Sequence, residues 1–135
     1  MAKRRKQPRW LSRVVVDAIH NEQVREHGGL VGLRDENALE SALARPQQKW
    51  QYTDGVDLAT LAAAYGFGLV KNHPYRDGNK RIGFLAIATF LGLNGYELEA
   101  TDGEIVAEIV SLADGRVSEE QLAGWIRDHS AREKK

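Results

Sequence analysis

The chain has 135 residues, 42% of them hydrophobic and 28% charged, as suits one soluble globular domain with its own core. With 19 basic and 19 acidic residues the formal net charge is zero, so no overall field draws in polyanions; with no cysteine, disulfides and thiolate metal sites are excluded. No apolar run approaches the ~20 residues that span a bilayer, and the N-terminal MAKRRKQPRW lacks the apolar stretch of a secretory signal, so a cytoplasmic protein with no membrane partner is expected.

The charge is uneven along the chain. Lys3, Arg4, Arg5, Lys6 and Arg9 crowd the start, and Lys134 and Lys135 close it. Residues 1–9 read as a basic flexible tail and residues 131–135 as a charged C-terminal tail, around one domain over residues 10–130. Nothing aromatic or helical in the basic tail supports a nucleic-acid contact.

The domain reads as a run of helices. Ser12 N-caps the first, with Leu11 and Val16 placed as a hydrophobic staple, and Gly28-Gly29 stops it. Asp35 caps a second, stapled by Leu33 and Leu39. Pro46 is expected to end it, because proline disfavours helical geometry in the residue before it. Residues 47–55 show no helical period and contain Trp50 and Tyr52, which predicts an extended loop or short hairpin with Trp50 exposed. Asp57 starts a third helix through Leu61, Ala62, Tyr65 and Leu69. After a break at residues 72–78, a fourth should run from Asn79 to Leu93. It is apolar almost all round (Ile82, Phe84, Ile87, Phe90, Leu91), the mark of a helix buried at the centre of a fold. Asn94-Gly95 closes it, and residues 96–99 are expected to be extended. Thr101 with Glu104 and Ser118 with Gln121 are capping boxes for the last two helices, the second stapled by Val117 and Leu122.

The informative stretch is His73-Pro74-Tyr75-Arg76-Asp77-Gly78-Asn79-Lys80-Arg81, at the start of the buried helix. Unpaired N–H groups and the dipole at a helix N-terminus favour an anion, and Gly78 permits a tight turn and close approach. Lys80 and Arg81 stand where cations oppose the dipole, at ~0.3–1 kcal/mol each. A bound phosphate would remove that conflict. Asp77, the one carboxylate of the stretch, would be repelled by a phosphate unless a cation such as Mg²⁺ lay between them. Histidine, here His73, is the residue type whose unperturbed pKa of about 6.5 allows proton exchange near neutral pH. On residues alone two readings stand: proton removal from a hydroxyl beside a Mg²⁺–nucleotide, and a surface polar network between two helices. The stretch lacks GxxxxGK[ST], so it is not a Walker phosphate loop.

Residues 73–81 resemble the signature of the Fic/Doc family, His-x-Phe-x-Asp/Glu-Gly-Asn-Gly-Arg-x-x-Arg. Tyr75 replaces the Phe, Asp77-Gly78-Asn79 match, and Arg81 matches the first Arg. Lys80 stands for the Gly and Phe84 for the second Arg, both as in the Doc (death-on-curing) branch. His20, the run Gly28-Gly29-Leu30-Val31-Gly32-Leu33-Arg34-Asp35 and the run Leu39-Glu40-Ser41-Ala42-Leu43-Ala44-Arg45-Pro46 look like the Doc lead-in.

The resemblance implies a single compact all-α Fic/Doc domain with a short extended flap, placed at residues 47–55, where Trp50, Gln51 and Tyr52 would clamp a target peptide by strand addition. It implies His73 as catalytic base and Asp77 as Mg²⁺ ligand. Gly78 and Asn79 would shape an anion hole, Asn79, Lys80 and Arg81 would contact phosphates, and Tyr75 would anchor the loop. With Lys80 filling the space of the Gly, and Phe84 unable to bind phosphate, it implies a Doc-like toxin. Such an ATP-dependent protein kinase passes the γ-phosphate to a hydroxyl of a translation factor resembling elongation factor Tu. The alternatives are a Fic-type protein adenylyl transferase and a non-catalytic Fic-fold binding module. The inhibitory motif [Ser/Thr]-x-x-x-Glu-[Gly/Asn] is met only by Gly32 to Glu36-Asn37, without its hydroxyl residue. A separate Phd-type antitoxin is therefore expected. His20, His27 and His129 have no zinc-binding spacing and read as structural or solvent-facing; Trp10 and Trp125 read as packing residues.

Overall fold

The computed structural model describes residues 6–134. The calls on Lys3, Arg4, Arg5 and Lys135 lie outside these residues. Six helices, α1 (Arg13–His27), α2 (Glu36–Tyr52), α3 (Leu58–Asn72), α4 (Asn79–Leu93), α5 (Asp102–Ala113) and α6 (Glu119–His129), make a helical domain with two short strands, β1 (Tyr96–Leu98) and β2 (Ser130–Arg132). The helix starts follow from local side-chain chemistry. The side chains of Ser12, Asp35 and Asp57 accept from the backbone N–H groups of Val15, Ala38 and Thr60, and both capping boxes form.

Helix α3 is the hub and packs against α2, α4, α5 and α6. Its residues Ala59 to Gly66 are buried almost without interruption by small side chains, and Tyr65 donates no surface to solvent. Small residues set its distance from α4. A Cβ on Gly66 would lie 2.5 Å from Ile87 Cδ1, and one on Gly83 would lie 2.6 Å from Val70 Cγ2. The two helices therefore meet through glycine, and the loop joining them, residues 73–78, is held between two rigid neighbours.

Helix α2 departs from expectation. It runs through Pro46 to Tyr52, so most of residues 47–55 is helical and no extended flap forms there. Trp50, Gln51 and Tyr52 occupy its last turn. Proline inside a helix removes a hydrogen bond and crowds the preceding turn, at about 3 kcal/mol. Here tertiary contacts outweigh that penalty. Pro46 continues the buried stripe Leu39, Ala42, Leu43, at helical spacing. Beyond it, Lys49 pairs with Glu119 of α6 at 3.3 Å, as Arg45 does from the preceding turn. Trp50 is half-buried, its ring edge-on to Trp10 at 6.4 Å between centroids, not exposed as expected. Tyr52 alone of the three is an exposed large apolar group.

Some residues of the two expected tails are bonded to the domain. Strand β2 pairs antiparallel with β1, Tyr96 opposite Arg132 and Leu98 opposite Ser130, so Ala131 and Arg132 of the expected C-terminal tail lie in the sheet. Arg9, in the expected N-terminal tail, exchanges backbone hydrogen bonds with the side chain of Asn94 at 2.9 and 3.0 Å. Among the described residues no helix is long and apolar enough to cross a membrane.

Candidate active site

The loop between α3 and α4 gathers its order from distant parts of the chain. Helix α3 ends at Asn72, and His73 caps it in the left-handed conformation (φ 52°, ψ 54°) with its side chain exposed. Residues 32–35 then run beside residues 74–76. The backbone N–H groups of Arg34 and Asp35 both donate to Pro74 O (2.8 and 3.0 Å), that of Arg76 donates to Gly32 O (3.1 Å), and Leu33 bridges Tyr75. The Arg34 guanidinium adds bonds to His73 O (2.7 Å) and Asn72 O (2.9 Å).

Tyr75 anchors the loop as expected. It is buried, and its hydroxyl donates to Asp17 Oδ1 at 2.7 Å. Burial, reinforced by the Asp17 hydrogen bond and charge, raises its phenol above the usual range, so it stays protonated and donating. Asp17 is itself held by Arg13, which also reaches Glu36 and Glu40 at the start of α2. The buried ring of His20 stacks on Tyr75 at 3.7 Å between centroids, and its Nε2, 2.7 Å from the carbonyl oxygen of Asp77, must donate there. Its Nδ1 is buried without a hydrogen-bond partner. His20 is thus structural, as expected, but the structure it serves is this loop.

Asn79 is buried and both polar atoms of its amide are engaged. Its Oδ1 accepts from Tyr75 N–H (3.0 Å), and its Nδ2 donates to Tyr75 O (2.9 Å). The side chain therefore faces inward onto Tyr75, and the backbone amide is the part of Asn79 left at the start of α4. Gly78, left-handed at φ 78°, is the N-cap of α4 and supplies no side-chain cap bond. Lys80 and Arg81 follow on the exposed surface and form no ion pair with any described residue. The N–H groups at this helix start, two cations, His73 and Asp77 thus border one loop, while Trp50, Gln51 and Tyr52 lie in the last turn of α2, apart from it in the chain.

What borders the loop instead is the segment from Gly28 to Leu33. Its Leu30 N–H donates to Asp77 Oδ2 at 2.8 Å, and its Leu30 and Val31 side chains are exposed. Among the described residues no three or more His, Asp or Glu cluster to cage a metal by themselves. A lone carboxylate with one oxygen held by Leu30 fits a divalent ion that takes its other ligands from phosphate oxygens and water, as Mg²⁺ does. Phe84, one helical turn into α4, packs against the hydrophobic core.

Sequence reasoning missed Asp17, and the contacts that Arg34 and the Leu30 amide make with this loop. His20 and residues 28–35 had been marked by resemblance, but nothing in their spacing revealed that they reach residues 72–77.

A histidine, a carboxylate and two cations thus lie near the start of α4, which no side chain caps, in a small helical domain. Residues 10–91 match the Fic/DOC family, and the chain belongs to that family. It is 29% identical over 111 residues to the protein kinase doc of Escherichia phage P1, covering 82% of this chain and 86% of that one. It is 42% identical over 74 residues to Toxin Doc of Mycolicibacterium smegmatis, covering 54% and 57%. Its fold is similar to that of BepC, a VirB-translocated effector protein of Bartonella tribocorum solved with bound AMPPNP: TM-score 0.51, 19% identity, 73% of this chain and 49% of that one. The chain spans 57% of the Mycolicibacterium relative and about half of the Bartonella chain.

Proposed function

We propose that this protein is a Doc-like toxin: a nucleotide-dependent transferase that moves the γ-phosphate of ATP to a hydroxyl of a translation factor resembling elongation factor Tu. The observation that carries it is the start of α4, which lacks a side-chain cap and bears Lys80 and Arg81 with no acidic residue in its first turn. That is a poor way to stabilise a helix and a good way to receive a polyphosphate. A nucleotide as ligand is supported by the Bartonella neighbour with its bound AMPPNP, and phosphoryl transfer by the relative named protein kinase doc.

In this reading the amides of residues 79–81 and the Lys80 and Arg81 side chains seat the phosphates. Asp77 would hold Mg²⁺, which would supply charge neutralisation to the bound polyphosphate. His73 Nδ1 or Nε2 takes the proton from the target hydroxyl. Its oxygen forms the new bond to the γ-phosphorus as the bond to the β-bridging oxygen breaks, and ADP leaves. The target is received along residues 28–33, where Leu30 and Val31 are exposed and the Leu30 N–H donates to Asp77. A Phd-type antitoxin restrains the free enzyme.

Protein adenylyl transfer is the second reading, supported by family membership. Phe84 favours phosphoryl transfer over it, because a side chain packed on the core offers no second cation to the nucleotide. Label transfer from α- and γ-labelled ATP into a bacterial lysate separates the two. Label is expected in protein from γ-labelled ATP and not from α-labelled ATP; the reverse would establish adenylylation, and label from neither would favour a non-catalytic binding module.

A further inference from the structure

We propose that Arg34 is a positioning residue that holds the backbone of His73 in its left-handed conformation and so aims the imidazole at the reacting hydroxyl. The functional half of this inference rests on the reading of His73 as base; the conformational half does not.

Among the described residues His73 is the one non-glycine residue with positive φ. A side chain with a Cβ strains this conformation, and helix ends that need it usually take glycine. The residue that follows is Pro74, which disfavours helical geometry before it and pushes its predecessor toward extended backbone. His73 therefore has a defined alternative: φ and ψ relax to the extended region, and the direction of its Cβ and imidazole changes.

The local chain offers little to resist that change. The ends of α1, α2, α4 and α5 are each closed by a cap N–H returning to a carbonyl of their own helix, whereas no such bond closes α3 or α6, and α6 continues directly into β2. Arg34 takes over. Its Nη2 donates to Asn72 O at 2.9 Å and its Nε to His73 O at 2.7 Å, two bonds from one planar fork on consecutive carbonyls. Its own backbone N–H donates to the next carbonyl, Pro74 O, at 2.8 Å. One residue thus fixes three successive peptide groups on both sides of His73. The left-handed geometry satisfies all three bonds at once, whereas an extended His73 would turn its carbonyl away from the guanidinium. Strain confined to a proposed catalytic residue and held by a distant side chain is the pattern of preorganisation.

The test compares wild type, Arg34→Ala and Arg34→Lys. The first readout is the Cα and Cβ chemical shifts and HN–Hα coupling of His73, measured without nucleotide. The second is kcat, with ATP affinity measured separately by titration. In Arg34→Ala the His73 signals should move from left-handed to extended values. Its kcat should fall on the order of 10- to 100-fold while ATP affinity changes less than about threefold, a change worth under ~0.7 kcal/mol. Millimolar guanidinium should restore part of kcat. Arg34→Lys, which keeps the charge but not the fork, should be intermediate, and it decides the matter if the alanine variant does not fold. Unchanged His73 signals in the variants would overturn the proposal, as would a kcat that stays near wild type or falls only in step with ATP binding. If wild type transfers no phosphate from ATP, the proposed reaction fails, and the His73 signals still decide whether Arg34 sets the conformation.

Discussion

Helix α4 and helices α5 and α6 begin in opposite ways. At α5 the Thr101 side chain accepts from Glu104 N–H and Glu104 returns to Thr101 N–H, at 3.1 and 2.9 Å; Asp102 and Glu104 place negative charge in the first turn. At α6, Ser118 and Gln121 do the same, beside Glu119 and Glu120. At α4 the cap is Gly78, no side chain closes the end, and the first turn carries Lys80 and Arg81. Two starts obey the rules of helix stability; the third breaks both at the place where the family signature lies. The difference teaches where the proposed function draws its support: a bound phosphate would supply the acceptor and the negative charge that α4 lacks.

The strongest way to break this comparison is to show that the α4 end carries no chemistry. His73→Ala is expected to lower transfer by about 10²–10⁴-fold with little change in melting temperature, because the side chain is exposed. Near-normal turnover in a steady-state assay would remove His73 as the base.

Lys80→Glu sharpens it by sign. Removing a cation and adding an anion in the first turn of α4 should raise unfolding free energy by ~0.3–1 kcal/mol in a denaturant titration. The same change should weaken ATP binding at least tenfold by calorimetry. A variant both less stable and unimpaired in binding would mean that Lys80 serves the fold.

Thr101→Ala tests the opposite member. It should lose about 1 kcal/mol of stability and leave transfer unchanged, since the α5 cap lies outside the loop. Reduced kcat with intact stability would show that the two helix starts are not functionally distinct.

The smallest effect belongs to Asp57, the N-cap of α3. The hydrogen bond from Arg127, with help from Thr60, holds its carboxylate down from an ordinary 3.8 to about 2. A depressed carboxylate stabilises the fold above its unfolded pKa and loses that contribution as pH falls through the folded one. Asp57→Asn keeps a capping oxygen but removes the charge. The variant should be less stable at neutral pH by only ~0.2–1 kcal/mol, because the pair is half-exposed and screened. That difference should shrink between about pH 4 and pH 2 in equilibrium unfolding; a constant difference would point to the cap and not the ion pair.

Sequence by itself determined the helical class, the start of every helix, the burial of α4 and the contiguous stretch from His73 to Arg81. These depend on bonds and periods that close within about four residues, as the caps of Ser12, Asp35, Asp57, Thr101 and Ser118 do. Tertiary structure alone decided what long separations carry. The continuation of α2 past Pro46 depends on Glu119 and Trp10, which no local rule for proline can include. The pairing of β1 with β2 joins residues from opposite sides of two helices. The inward turn of Asn79 was hidden because an amide beside a helix start suits a phosphate and a backbone equally well, and only the buried peptide group of Tyr75 selects between them. The order of the loop between α3 and α4 has the same origin: His20, Arg34 and Asp17 reach it across roughly forty to sixty residues, where side-chain spacing bears no relation to distance in space.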